Sequence, residues 1–126
     1  GWPQYFTLDL GVLAHLSRVI VTQRQGFPYS HGNPRLLEVW GIAETPPANG
    51  SFDNWIKLRD CIATKPSQSG GTADEDAEHL KNGDEYSFTL EDPPVRYIRF
   101  VVNETWGLTG FIHFAEVTFY GQVVGQ

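Results

Sequence analysis

Apolar and polar residues alternate along most of this chain in short runs separated by turn residues. That is the period-two pattern of half-buried antiparallel strands rather than the 3.6-residue period of helices. Phe6, Leu8 and Leu10 share one face of a first strand that Gly11 is expected to end, and the β-branched stretch from residue 16 to residue 24 reads as a second. Leu37 and Val39 point one way from a third strand while Glu38 and Trp40 point the other, with Gly41 closing it. Residues 55–58 give a short strand, and Tyr86, Phe88 and Leu90 alternate in another that Pro93 and Pro94 terminate. Residues 95–102 are apolar on both faces, as a central strand requires, and residues 111–120 supply the last strand before Gly121. Roughly seven strands joined by loops rich in Gly and Pro predict an all-β fold, a sandwich or barrel, in a single domain over residues 1–126.

One helix interrupts the pattern. Thr72-Ala-Asp-Glu75 fits a capping box, three acidic residues fall in the turn where the helix dipole favours them, and Gly83 can supply the stop, so a short helix is predicted over residues 73–81. Residues 65–71 (Lys-Pro-Ser-Gln-Ser-Gly-Gly) are flexible by composition.

Charge and cysteine content then narrow the function classes. A formal net charge of -6 argues against nucleic acid and against anionic membrane surfaces, since both need clustered Lys and Arg. No run approaches the ~20 apolar residues of a membrane span, so direct membrane insertion by this domain is not expected. No charged-then-apolar leader stands at the amino end, so a signal or lipid anchor, if any, is expected to have been cut away. Cys61 is the only cysteine, which excludes an internal disulfide and a thiolate metal cluster and tilts the source toward bacteria.

Five segments in order, Phe6-Thr-Leu-Asp-Leu-Gly11, Ser17-Arg-Val-Ile-Val, Leu37-Glu-Val-Trp-Gly41, Val95-Arg-Tyr-Ile-Arg-Phe100 and Ala115-Glu-Val-Thr-Phe-Tyr-Gly121, resemble the discoidin or coagulation-factor type C domain. The same fold includes the family 32 carbohydrate-binding modules. The middle of the chain, with Trp55, Lys65-Pro-Ser67, the acidic helix and Gly83-Asp-Glu-Tyr, is similar to a variety found in Bacteroidetes surface lipoproteins encoded near polysaccharide-uptake systems. The resemblance implies an antiparallel jelly-roll sandwich of galactose-binding type with its chain ends close together. It also implies an extracellular, cell-surface or periplasmic location as part of a larger surface protein, and a carbohydrate as partner.

In family 32 modules the sugar lies on loops at one end of the sandwich, which here correspond to residues 24–35 and 103–111. Sugar recognition needs an aromatic face for the C–H patch of a pyranose and planar polar groups for its hydroxyls. The first loop offers Arg24, Tyr29, His31 and Asn33, and the second offers Trp106. Arg24 follows the strand where the family places a sugar-binding arginine; the alternative is an arginine tied to a neighbouring carboxylate or carbonyl. Asn33 before Pro34 more readily supplies a turn, His31 can be a solvated loop histidine, and Trp106 can cap the sandwich instead of serving as a stacking platform. Trp55, Trp40 and Trp2 are expected to be structural.

The resemblance further implies a calcium or sodium site at Glu116 with the carbonyl of Ala115. Its other ligands usually come from an Asp-rich opening loop, and this chain opens at Gly1-Trp2-Pro3, so an incomplete site and no bound cofactor are expected. No nucleophile elbow, His-Glu-x-x-His motif or phosphate loop is present, and a non-catalytic domain is expected. The alternative to glycan binding is a structural or protein-contacting domain on the same scaffold. Arg24, His31 and Trp106 around one concavity would favour the former, and a flat exposed apolar patch the latter.

Overall fold

The computed structural model describes residues 4–112 and 116–125, so Trp2, Ala115 and the expected approach of the two chain ends lie outside the described residues. Strand β1 (Gln4–Thr22) carries both of the first two expected strands as one element. Its first half pairs antiparallel with β5 (Val95–Thr105), from Gln4 opposite Val102 to Asp9 opposite Tyr97. Its second half pairs with β4 (Asp84–Ser87) on one side and β6 (Glu116–Val123) on the other. The register shifts between the halves, where Gly11 takes φ +79° and donates its N–H to the Asp9 carboxylate at 2.7 Å. With no Cβ to oppose a positive φ, Gly11 bends the strand from one layer into the other instead of ending it.

β2 (Pro34–Ile42) and β3 (Ile56–Ile62) complete the first layer in the order β3-β2-β5-β1, and the second layer is β4-β1-β6. The result is an antiparallel β-sandwich with one short helix. Its core lies between the layers: Phe100 stacks on Phe6 at 5.3 Å and meets Phe119 from the other layer at 5.9 Å, amid Val19, Val39, Ile98 and Val102. The outer face of β5 is covered as well. Arg99, 3% exposed, runs beneath the rings of Tyr5, Phe52 and Trp55, with centroids 4.4–4.7 Å away, and donates to the Thr7 hydroxyl and the Ser51 carbonyl. The loop after β2 therefore packs as a lid on this strand, which explains its two apolar faces and buries Trp55 as expected.

β4 stops at Ser87, earlier than the alternation of Phe88 and Leu90 predicts. After one further bond, from the Phe88 N–H to the Ser17 carbonyl, Asp92 accepts from the Thr89 N–H and turns the chain, leaving Leu90 fully exposed. The helix α1 (Ala73–Asn82) forms as its capping box predicts, with the Thr72 hydroxyl accepting from the Glu75 N–H and the Glu75 carboxylate from the Thr72 N–H. Gly83 ends it at φ +79°, at a point where a Cβ would stand 2.8 Å from both the Val21 carbonyl and the Thr22 side chain. The helix docks through His79, whose Nε2 meets the buried Asp84 carboxylate at 2.9 Å and the Thr64 hydroxyl at 3.1 Å.

Candidate functional site

At the Thr22 end of β1 the chain enters the loop that the sequence singles out, and a single side chain organises it. Asn33 is 0% exposed; its Oδ1 accepts from the Arg24 N–H at 2.8 Å, and its Nδ2 donates to the carbonyls of Phe27 at 2.6 Å and Ser30 at 3.3 Å. The expected ligand-contacting role of Asn33 is therefore corrected: it has no surface to offer, and it shapes the loop by satisfying backbone groups that the turn leaves open. Gln23, also buried, accepts the Tyr29 N–H at 2.6 Å in the same way. Tyr29 and His31 both sit in the left-handed region, at φ +50° and +55°, a conformation that non-glycine residues adopt where surrounding bonds over-determine it.

The second loop is stitched to the first by backbone bonds. The Trp106 N–H donates to the Asn33 carbonyl at 2.9 Å, and the Gly107 N–H to the His31 carbonyl at 3.0 Å. Gly107 is required there, since a Cβ would lie 2.6 Å from the His31 nitrogen. Residues 24–35 and 103–111 thus form one end of the sandwich, as expected.

The candidate side chains are nevertheless distributed. Arg24 is exposed, with its guanidinium 5.4 Å from the Phe27 ring centroid, and it enters no ion pair among the described residues. It borders an open cleft of about 370 Å³ shared with Thr22, Gln23, Gln25, Glu116 and Val117. Tyr29 faces a different cleft, of about 320 Å³, with Lys65 and α1. His31 is exposed, with its Nδ1 2.7 Å from the Ser30 hydroxyl, and its ring packs on Phe27 at 4.5 Å. Trp106 is half-buried: it meets Tyr29 edge-on at 5.4 Å, carries the Arg35 guanidinium 5.3 Å from its ring centroid, and holds its indole N–H buried without a hydrogen-bond partner among the described residues. The expectation of an open stacking platform at Trp106 meets a ring that is already engaged on two sides.

The cleft that Arg24 borders is lined by neither His31 nor Trp106. Arg24 is joined there by Glu116, the residue at which the resemblance implies an ion site, one expected to be incomplete in this chain. Glu116 opens β6 opposite Thr22, is exposed, and its carbonyl accepts from the Thr22 hydroxyl at 3.3 Å. Among the described residues no group of three or more His, Cys, Asp or Glu side chains is arranged to hold a metal. Lys65 and Asp76, both lining the Tyr29 cleft, were missed by the sequence reading because the segments that carry them looked like a flexible loop and a cap.

A family model described as a domain of unknown function matches residues 1–121. Among solved structures, a SusE-like protein, BT2857, superposes with a TM-score of 0.90 at 38% identity over 98% of this chain and 48% of that one. This chain thus spans about half the length of that relative. The module CBM32-3 from a family 31 glycoside hydrolase of Clostridium perfringens superposes at 0.67 with 19% identity, covering 96% of this chain and 68% of that one. A Bacteroides thetaiotaomicron fragment with a provisional chitobiase assignment gives 0.61 at 19%, over 99% and 64%. No curated protein matches. The fold is the one these solved structures share.

Proposed function

The chain belongs to the DUF5000 family, and from that premise we propose that it is a discoidin-like carbohydrate-binding module of a bacterial surface polysaccharide-uptake protein, holding a glycan at the loop end of its sandwich. The observation that carries this reading is the Arg24 cleft. Arg24, exposed and without an ion pair among the described residues, lines a concavity of about 370 Å³ together with Glu116 and Gln25. That volume lies within the ~300–1,000 Å³ of small-molecule sites. The forked donors of Arg24 suit adjacent hydroxyls, and a carboxylate opposite them accepts from the same sugar. Likeness over nearly the full chain to a SusE-like protein supports the surface-protein context, and the likeness in fold to a CBM32 module supports the loop-end geometry. The larger protein around this domain and its location outside the cell are part of the proposal.

A second reading, protein contact, has its own observation. Tyr5 and Phe52 are 44% and 37% exposed over the outer face of the first layer, with Phe52 edge-on to both Tyr5 and Trp40. A glycan array probed with the isolated chain separates the two. Selective binding of defined glycans is expected, and a blank array beside concentration-dependent self-association or protein capture through the Tyr5 face would favour the second reading.

A further inference from the structure

Residues 65–71, flexible by composition, are fixed in the structure. Pro66–Ser69 forms a 3-10 turn, the Gly71 N–H closes on the Pro66 carbonyl at 2.8 Å, and the Ser67 N–H donates to the Asp76 carboxylate of α1 at 2.8 Å. Hydrogen bonds from Ser67 hold the Asp76 carboxyl below the usual carboxylate range, so it is ionised at neutral pH. Tyr29 is fixed from the other side. Its hydroxyl donates to the Asp76 carbonyl at 2.8 Å, and burial together with the charges of Asp76 and Asp84 pushes the phenol up to about 12, which keeps that donor protonated.

Pinning the turn places the Lys65 ammonium 5.2 Å from the Tyr29 ring centroid, and Lys65 makes no ion pair among the described residues. Between them opens the cleft of about 320 Å³, walled by Pro28, Tyr29, Ala73, Ala77 and Leu80 and edged by Lys65 and Asp76. Ala73 and Ala77 lie one helical turn apart, so the helix presents methyl groups where longer side chains would fill the space. The cleft combines an aromatic ring, an apolar wall, one cation outside any ion pair among the described residues and one carboxylate. Tyr29 follows Arg24 by five positions, which bounds their Cα separation at roughly 18 Å for a fully extended chain.

Resting on the glycan reading above, we propose that this cleft is a second sugar subsite, in which a neutral pyranose lies against Tyr29 and Leu80 while Lys65 donates to its hydroxyls and Asp76 accepts from them. Neutrality follows from the pairing of charges: a uronic acid attracted by Lys65 would bring its carboxylate up to Asp76. Helix α1 and the turn before it thereby become the part of the domain that sets which sugar is accepted.

The experiment is calorimetric titration of the full chain with malto-, manno-, galacto- and xylo-oligosaccharides and with oligogalacturonides, on wild type, Ala77→Leu, Lys65→Met and Arg24→Ala. Ala77 is an exposed helix residue, so a leucine there fills the cleft without opening the core. Binding of a neutral series weakened about ten-fold or more by both Ala77→Leu and Lys65→Met is the expected result. Neutral sugars that bind wild type, lose affinity in Arg24→Ala and are unaffected by the two cleft variants overturn the subsite while leaving the reading of the domain intact. Preference for the oligogalacturonides overturns the neutral class. Failure of every series to bind wild type overturns the subsite together with the reading beneath it.

Discussion

Replacing Asn33 with alanine removes the side chain that holds the 24–33 loop in shape, and the structure allows its cost to be worked out. Two short hydrogen bonds disappear, from the Arg24 N–H at 2.8 Å and to the Phe27 carbonyl at 2.6 Å. Phe27 retains the Ser30 hydroxyl as a donor to its carbonyl, so only the Arg24 N–H is orphaned. Lost bonds plus one desolvated donor come to about 2–4 kcal/mol, which in a domain of this size lowers the melting temperature by roughly 10 °C. Asn33→Asp sharpens the test. One carboxyl oxygen still accepts from Arg24, but the other faces the carbonyls of Phe27 and Ser30, and burial and that repulsion both favour the protonated acid, which can donate to them. A carboxyl whose pKa is raised on folding costs nothing while it is protonated in both states. Asn33→Asp should therefore melt near wild type below about pH 4 and fall behind as the pH rises past the unfolded value. Scanning calorimetry across pH reads both variants. An alanine variant that melts with wild type, or an aspartate variant whose deficit does not depend on pH, would refute Asn33 as the centre of the loop.

Other consequences are more direct. Trp55→Ala should destabilise the domain by about 3–5 kcal/mol in urea titration, because the indole is 6% exposed and covers Arg99. The Cys61 thiol, 2% exposed and pushed up to about 12 by burial, should react with an aromatic disulfide reagent only in denaturant; labelling of the native protein within minutes would place it at the surface. Calcium should leave the melting temperature unchanged, since Glu116 has no neighbouring carboxylate cluster among the described residues, and an upward shift would reveal a native-state site.

The sequence made legible what is decided within a few residues. The capping box at Thr72 is such a case, because both of its bonds span three residues. Alternation gave the strands but not their ends. Gly11 looked like a stop, and only pairing with β5 and then β6, far along the chain, shows that the strand continues through it. Composition made residues 65–71 look loose, but the partner that fixes Ser67 is nine residues away on α1. The loop end was placed by resemblance and its two loops do meet, yet the roles within it depend on tertiary geometry. Whether Asn33 faces inward, or Arg24 enters an ion pair with any described residue, follows from the turn conformation and from β6, neither of which is written in the local residue pattern.

Calorimetric titration of wild type and Arg24→Ala, with a glycan that the array identifies, tests the central claim most directly. Wild type should bind it weakly, with a Kd in the millimolar to micromolar range, roughly -4 to -8 kcal/mol. Removing the guanidinium should weaken binding about ten-fold or more, the loss of a charge-assisted hydrogen bond, with the melting temperature unchanged because Arg24 is exposed. Equal affinity in the two proteins would place the glycan away from the Arg24 cleft and contradict the site.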